Sequence, residues 1–166
     1  MNSRNTTVRL VYVAVLIALS FVGSLIKIQG SIALDSMPGF FAALLLGPGL
    51  GALVAALGHV LTAITSGFPL TIIVHLVITI MMAISAYVFG KVYKKSNIVL
   101  ASIIGIILNA VVELLILAPI TKWLQFPLNG WAFFIATIGP LTLASAVNII
   151  LAGIIYELIG KRILTR

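Results

Sequence analysis

The chain has 166 residues, of which 62% are hydrophobic and 8% charged, with a mean hydropathy of +1.30. An average soluble domain is about 45–50% apolar and about 25% charged, and a domain of this size cannot bury so much apolar surface in its own core. Composition therefore excludes an ordinary soluble enzyme, a disordered chain and an extended nucleic-acid-binding surface. The net charge of +7 comes from ten basic residues scattered among long apolar runs, which form no basic face. The absence of cysteine excludes a disulfide framework and any thiolate metal site.

A helical span needs about 20 mainly apolar residues to cross a hydrocarbon core of roughly 30 Å. The sequence predicts one such span over about residues 8–28, too long and without the small-residue cleavage context of a signal peptide. Residues 37–66 are apolar throughout but broken at Gly47-Pro48-Gly49-Leu50-Gly51, which predicts two helices, 34–47 and 50–66, folded back on one another. The first of these has only about 10 apolar residues after Pro38, ~15 Å of helix. It is therefore short, starts early near Ile32, or enters without crossing fully. Further spans are expected over 70–92, 98–120 and 136–160, the last with Gly139-Pro140 near its start and Trp131–Ile138 as a cap or helical extension.

Charge orients this arrangement. With the N-terminus cytoplasmic, Arg4, Arg9, Lys91, Lys94, Lys95, Lys161, Arg162 and Arg166 fall inside, and only Lys27 and Lys122 outside. The positive-inside rule favours that solution, whereas five spans would move the last three basic residues outside. The expectation is an all-α integral membrane protein of one domain, residues 1–166: a six-helix transmembrane bundle with both termini cytoplasmic. No GxxxxGK[ST], HExxH or GxSxG motif occurs. Neither an enzyme nor a bound cofactor or metal is expected, and the three helical hairpins share no repeat that would indicate an inverted-repeat carrier.

Ionisable and amide groups inside a span cost roughly 2.5–3.5 kcal/mol on insertion scales, so each needs a reason. The candidates are Asp35, His59, His75, Asn109, Glu113 and Asn148. Counted at 1.5 Å per residue, His59, His75 and Glu113 lie about 8–10 Å below the outer helix ends. Asn109 sits one turn deeper on the face of Glu113, and Ser145 and Asn148 reach a similar level. Polar groups in the outer half above an almost purely apolar inner half describe a pocket open to the outside, whereas a channel needs polar groups at every depth. Each group also has a plainer role. His59 can join two helices, and Asp35, before Ser36-Met37-Pro38, can cap a helix or sit at the pocket mouth. Trp123 and Trp131 suit an aromatic belt, and Glu157 suits a surface pair with Lys161. Thr71 and Thr79 share the face of His75.

Small residues repeat at helical spacing in Ala14-Val15-Leu16-Ile17-Ala18, Gly47xxxGly51 and Ala52xxxAla56, which lets helices approach closely. The short helices, the outer polar pocket, the Ala14xxxAla18 pair and the run Leu34-Asp35-Ser36-Met37-Pro38-Gly39-Phe40-Phe41 through Gly47-Pro48 resemble the substrate-binding S component of an energy-coupling factor (ECF) transporter. The resemblance covers essentially the whole chain and is most specific between Ile32 and Leu70, including Gly58-His59 and Ser66-Gly67-Phe68-Pro69-Leu70.

It implies a multi-pass protein of the bacterial plasma membrane that captures a vitamin or vitamin precursor outside. Ala14 and Ala18 would dock on a transmembrane coupling subunit driven by two ATPase subunits, with no nucleic-acid partner. The chain lacks the tryptophan-rich pocket of thiamine-type members and has no arginine in the outer half, which disfavours a carboxylate or phosphate handle. The segment 34–70 looks most like members assigned to α-ribazole and related cobalamin precursors. The alternative is a self-sufficient small-solute channel or facilitator.

Overall fold

Helix boundaries follow local chemistry. The computed structural model describes residues 3–160, so Lys161, Arg162 and Arg166 lie outside the described residues. The first helix, α1 (Ser3–Ser24), stops four residues short of the expected end, with the Ser24 hydroxyl donating to the Phe21 carbonyl at 2.6 Å. Beyond it a small hairpin forms: β1 (Lys27–Gln29) pairs antiparallel with β2 (Ile32–Ala33) across Gly30-Ser31. Gly30 sits at φ 55°, the left-handed region that such a two-residue turn requires and glycine adopts without strain.

The second helix, α2 (Met37–Leu45), has nine residues, about 13 Å of rise, and residues 38 to 45 are all buried. Its far end is met by Arg9, whose guanidinium donates to the Leu46 carbonyl at 2.8 Å, placing a cation at the negative end of the helix. Gly47, at φ 100°, reverses the chain, and Pro48 opens α3 (Pro48–Thr65) at a position where a missing N–H is harmless. The turn to α4 (Thr71–Lys95) carries Gly67 at φ 70°, with Phe68 and Thr71 also left-handed. Lys94 and Lys95 occupy the last turn of α4, where cations suit the dipole.

Asn97 then caps α5 (Ile98–Trp123), accepting from the Leu100 amide at 2.9 Å. This helix is π-wound over Ile107–Val112. The last helix, α6 (Gly130–Gly160), starts six residues before the expected span and continues through Pro140. Proline is tolerated in spanning helices because neighbours and local winding satisfy the freed carbonyl.

α2 is the centre of the bundle, touching α1, α3, α4 and α6. Close approach is built from small residues: Gly39 faces Ala55, Gly51 faces Ala43, and Gly90 of α4 lies over Ala43 and Pro48. Phe40 meets Phe89 edge-on at 5.2 Å beside this contact. Five helices, α1 and α3–α6, are long and apolar enough to cross a membrane, and α2 is not. Between α1 and α2 the chain is extended at residues 32–33 and then bends through residues 34–36 into the helix.

Candidate functional site

That extended stretch brings polar groups into the interior. A cavity of about 60 Å³ lies where the hairpin and the start of α2 meet α3, α5 and α6. Asp35, His59, Asn109, Glu113 and Asn148 all border it. α6 contributes a helical stripe, Phe133, Thr137, Leu141, Ala144, Ser145 and Asn148, and Leu114 and Leu117 of α5 complete an apolar side. Its volume has room for a few waters. Ligand pockets are typically about 300 Å³ or more, so an occupant the size of a vitamin requires the lining side chains to move apart.

Asp35 is 6% exposed and neither caps α2 nor sits at an open mouth. Ser36 takes the N-cap position, while the Asp35 carboxylate accepts from the Thr62 hydroxyl at 2.5 Å. His59, one turn before Thr62 on α3, places Nδ1 4.0 Å from Asp35 Oδ2, beyond hydrogen-bond reach. Its Nε2 lies 3.2 Å from His75 Nδ1, and the two rings stack at 5.4 Å. One of these nitrogens donates and the other accepts, according to the tautomers of the two rings.

His75 does not border the cavity. It backs His59 and receives the edge of Phe68 at 5.7 Å, so the α3–α4 turn rests on the histidine pair. Thr79, expected on the same face, donates to the His75 backbone carbonyl at 2.7 Å and does not join the cavity lining.

Asn148 is fully engaged. Its Oδ1 accepts from the Met37 amide at 2.8 Å, supplying the start of α2 with the cap that Ser36 does not give. Its amide donates to the Ala144 carbonyl at 2.9 Å and the Ala33 carbonyl at 3.3 Å, tying the hairpin to α6. Asn109 donates to Ser145 Oγ at 2.7 Å, which leaves Oδ1 without a partner. Glu113 Oε2 is likewise buried and without a partner among the described residues.

Thr62 was missing from the expected set, and threonine at helical spacing from a histidine gives no signal by itself. Ser145 was visible only by depth. Among the described residues no three histidines or carboxylates are placed to hold a metal. Trp123 and Trp131 are largely exposed and away from the cavity, as a belt would have them.

Bundled apolar helices around a small, mostly apolar cavity with a few buried polar groups suit solute binding within a membrane. The family model for the substrate-specific component of ECF transporters matches residues 8–160, nearly the whole chain. The chain belongs to this family. It is thus a multi-pass membrane protein, and S components are transport subunits, not enzymes: they bind a small molecule and partner with an ECF energizing module in the membrane. No curated protein and no solved structure matches this S component.

Proposed function

We propose that this S component crosses the bacterial plasma membrane six times with both termini cytoplasmic, captures a vitamin or vitamin precursor from outside, and delivers it inward. α2 together with the extended residues before it makes the second crossing. α-Ribazole or a related cobalamin precursor is the substrate. Asp35, His59, Asn109 and Glu113 form the polar part of the binding site, His75 supports His59, and Asn148 holds the hairpin and α2 against α6. Ala14 and Ala18, both exposed on α1, form the face that docks on the transmembrane coupling subunit and, through it, on two ATPase subunits.

The single observation that carries this reading is the convergence of five of the six polar residues on one cavity, at the hairpin end of a bundle whose other end is apolar inside. The basic residues support the orientation: Arg9, Lys94 and Lys95 gather at the end opposite the hairpin. The test is growth of a cobalamin-precursor auxotroph on α-ribazole, with and without the coupling module. Growth that needs both the chain and the module is the expected result. Uptake undiminished without the module overturns the S-component mechanism in favour of a self-sufficient facilitator.

A further inference from the structure

Polar groups of the cavity differ in how far the fold has satisfied them, and the hydroxyl-bearing Ser31, Ser36, Thr137 and Ser145 also border it. Asn148 has both its oxygen and its amide hydrogens engaged. Asp35 accepts from Thr62, and His59 faces His75. Left without a partner among the described residues are two fully buried oxygens, Asn109 Oδ1, whose amide nitrogen is taken by Ser145, and Glu113 Oε2. Both residues are 3% exposed and both border the cavity. No lysine or arginine borders it among the described residues, and Lys27 and Lys122 are exposed elsewhere.

Buried polar atoms without partners are uncommon, and each is a cost that a matching group relieves. Here the two sit together: Asn109 lies in the π-wound part of α5, a form of winding often found at functional sites, and Glu113 follows directly on it. Leu117, Phe133 and Leu141 supply apolar lining, with Thr137 on the same α6 stripe.

We infer that the cavity selects a ligand with a hydrogen-bond-donating polar end that carries no negative charge, received by Asn109 Oδ1 and Glu113 Oε2, and an apolar body lying against Leu117 and Phe133. Hydroxyl, amide and amine groups satisfy the two oxygens. A carboxylate or phosphate brings further acceptors and a negative charge that is buried with no lysine or arginine at the cavity to offset it. The inference rests on the reading that this cavity is the transport site, and it adds which class of vitamin the site admits.

Calorimetry on the purified full chain in nanodiscs tests it with probes of two classes. The donor-bearing set is α-ribazole, pyridoxine and 4-amino-5-hydroxymethyl-2-methylpyrimidine. The anionic set is α-ribazole 5′-phosphate, pantothenate and nicotinate. The expected result is that the tightest probe is donor-bearing and that α-ribazole 5′-phosphate binds at least tenfold more weakly than α-ribazole. Glu113→Gln and Asn109→Leu should each weaken the best donor-bearing probe about tenfold or more. The melting temperature of the empty Glu113→Gln protein, expected at or above that of the wild type, separates a ligand contact from a structural one. If the tightest probe is anionic, or if both variants keep the affinity of the best probe within twofold, the inference is overturned. If no probe of either class binds and uptake also fails, the transport reading of the cavity falls instead.

Discussion

Asn148 shows how a residue's chemistry can be read correctly and its role differently. An amide deep in a span demands hydrogen bonds, and this one makes three, all to the protein. Asn148→Leu leaves the Met37 amide and the Ala33 carbonyl short of partners. The expected cost is about 1–3 kcal/mol, since groups left unpaired in a membrane protein recover part of the loss from other partners. A lower melting temperature in detergent, with any fall in ligand affinity following from the displaced hairpin, is the outcome to look for. His75 is the converse case: buried like its neighbour, it reaches the cavity only through His59. His75→Leu should therefore weaken binding by a smaller factor than Glu113→Gln does, and equal losses by calorimetry would put His75 in direct contact with ligand.

At the scale of the helix, the break at Gly47-Pro48 was legible because both residues act on their own backbone, one through φ 100° and the other through its ring. Helix ends were less so. α1 stops at Ser24 instead of running to residue 28, because residues 27 to 33 pair as a hairpin too short and too apolar on one arm to stand out from a span. α6 extends back to Gly130, since Pro140 does not end a helix that its neighbours support. The small-residue spacings pointed to close packing without naming the partner. Gly51 turns out to face the Ala43 backbone, so Gly51→Val drives α3 off α2 at a cost of about 3 kcal/mol or more. Gly49, with nothing within 4 Å of where a side chain would begin, is the control: Gly49→Ala should fold as well as the wild type. The monodisperse fraction on size-exclusion chromatography distinguishes the two.

For the whole molecule, the asymmetry between α1 and the rest matters most. α1 leaves most of its surface uncovered, and Ala14 and Ala18 lie on that uncovered side. The cavity is bounded by residues 31–36, α3, α4, α5 and α6, with no α1 residue in its lining, so the proposed docking face and the cavity are separate. Ala14→Trp should accordingly leave α-ribazole affinity unchanged while abolishing module-dependent uptake. A parallel fall in affinity would make this face part of the fold or the site.

Membrane residence followed from the sequence alone, because the free energy of placing apolar runs in lipid is a sum over residues and needs no partner. The helical segments and the central Gly-Pro break came the same way, each from local chemistry. The set of buried polar residues was visible as well, since their cost in a span is intrinsic. Which of them remain open to a ligand was decided only by the fold. Hydrogen-bond satisfaction belongs to pairs: Asn148 closes on Met37 111 positions away, Asn109 on Ser145 36 positions away, and Glu113 Oε2 on no partner among the described residues. No local pattern encodes those distances, and the site is what remains after the fold has matched the others.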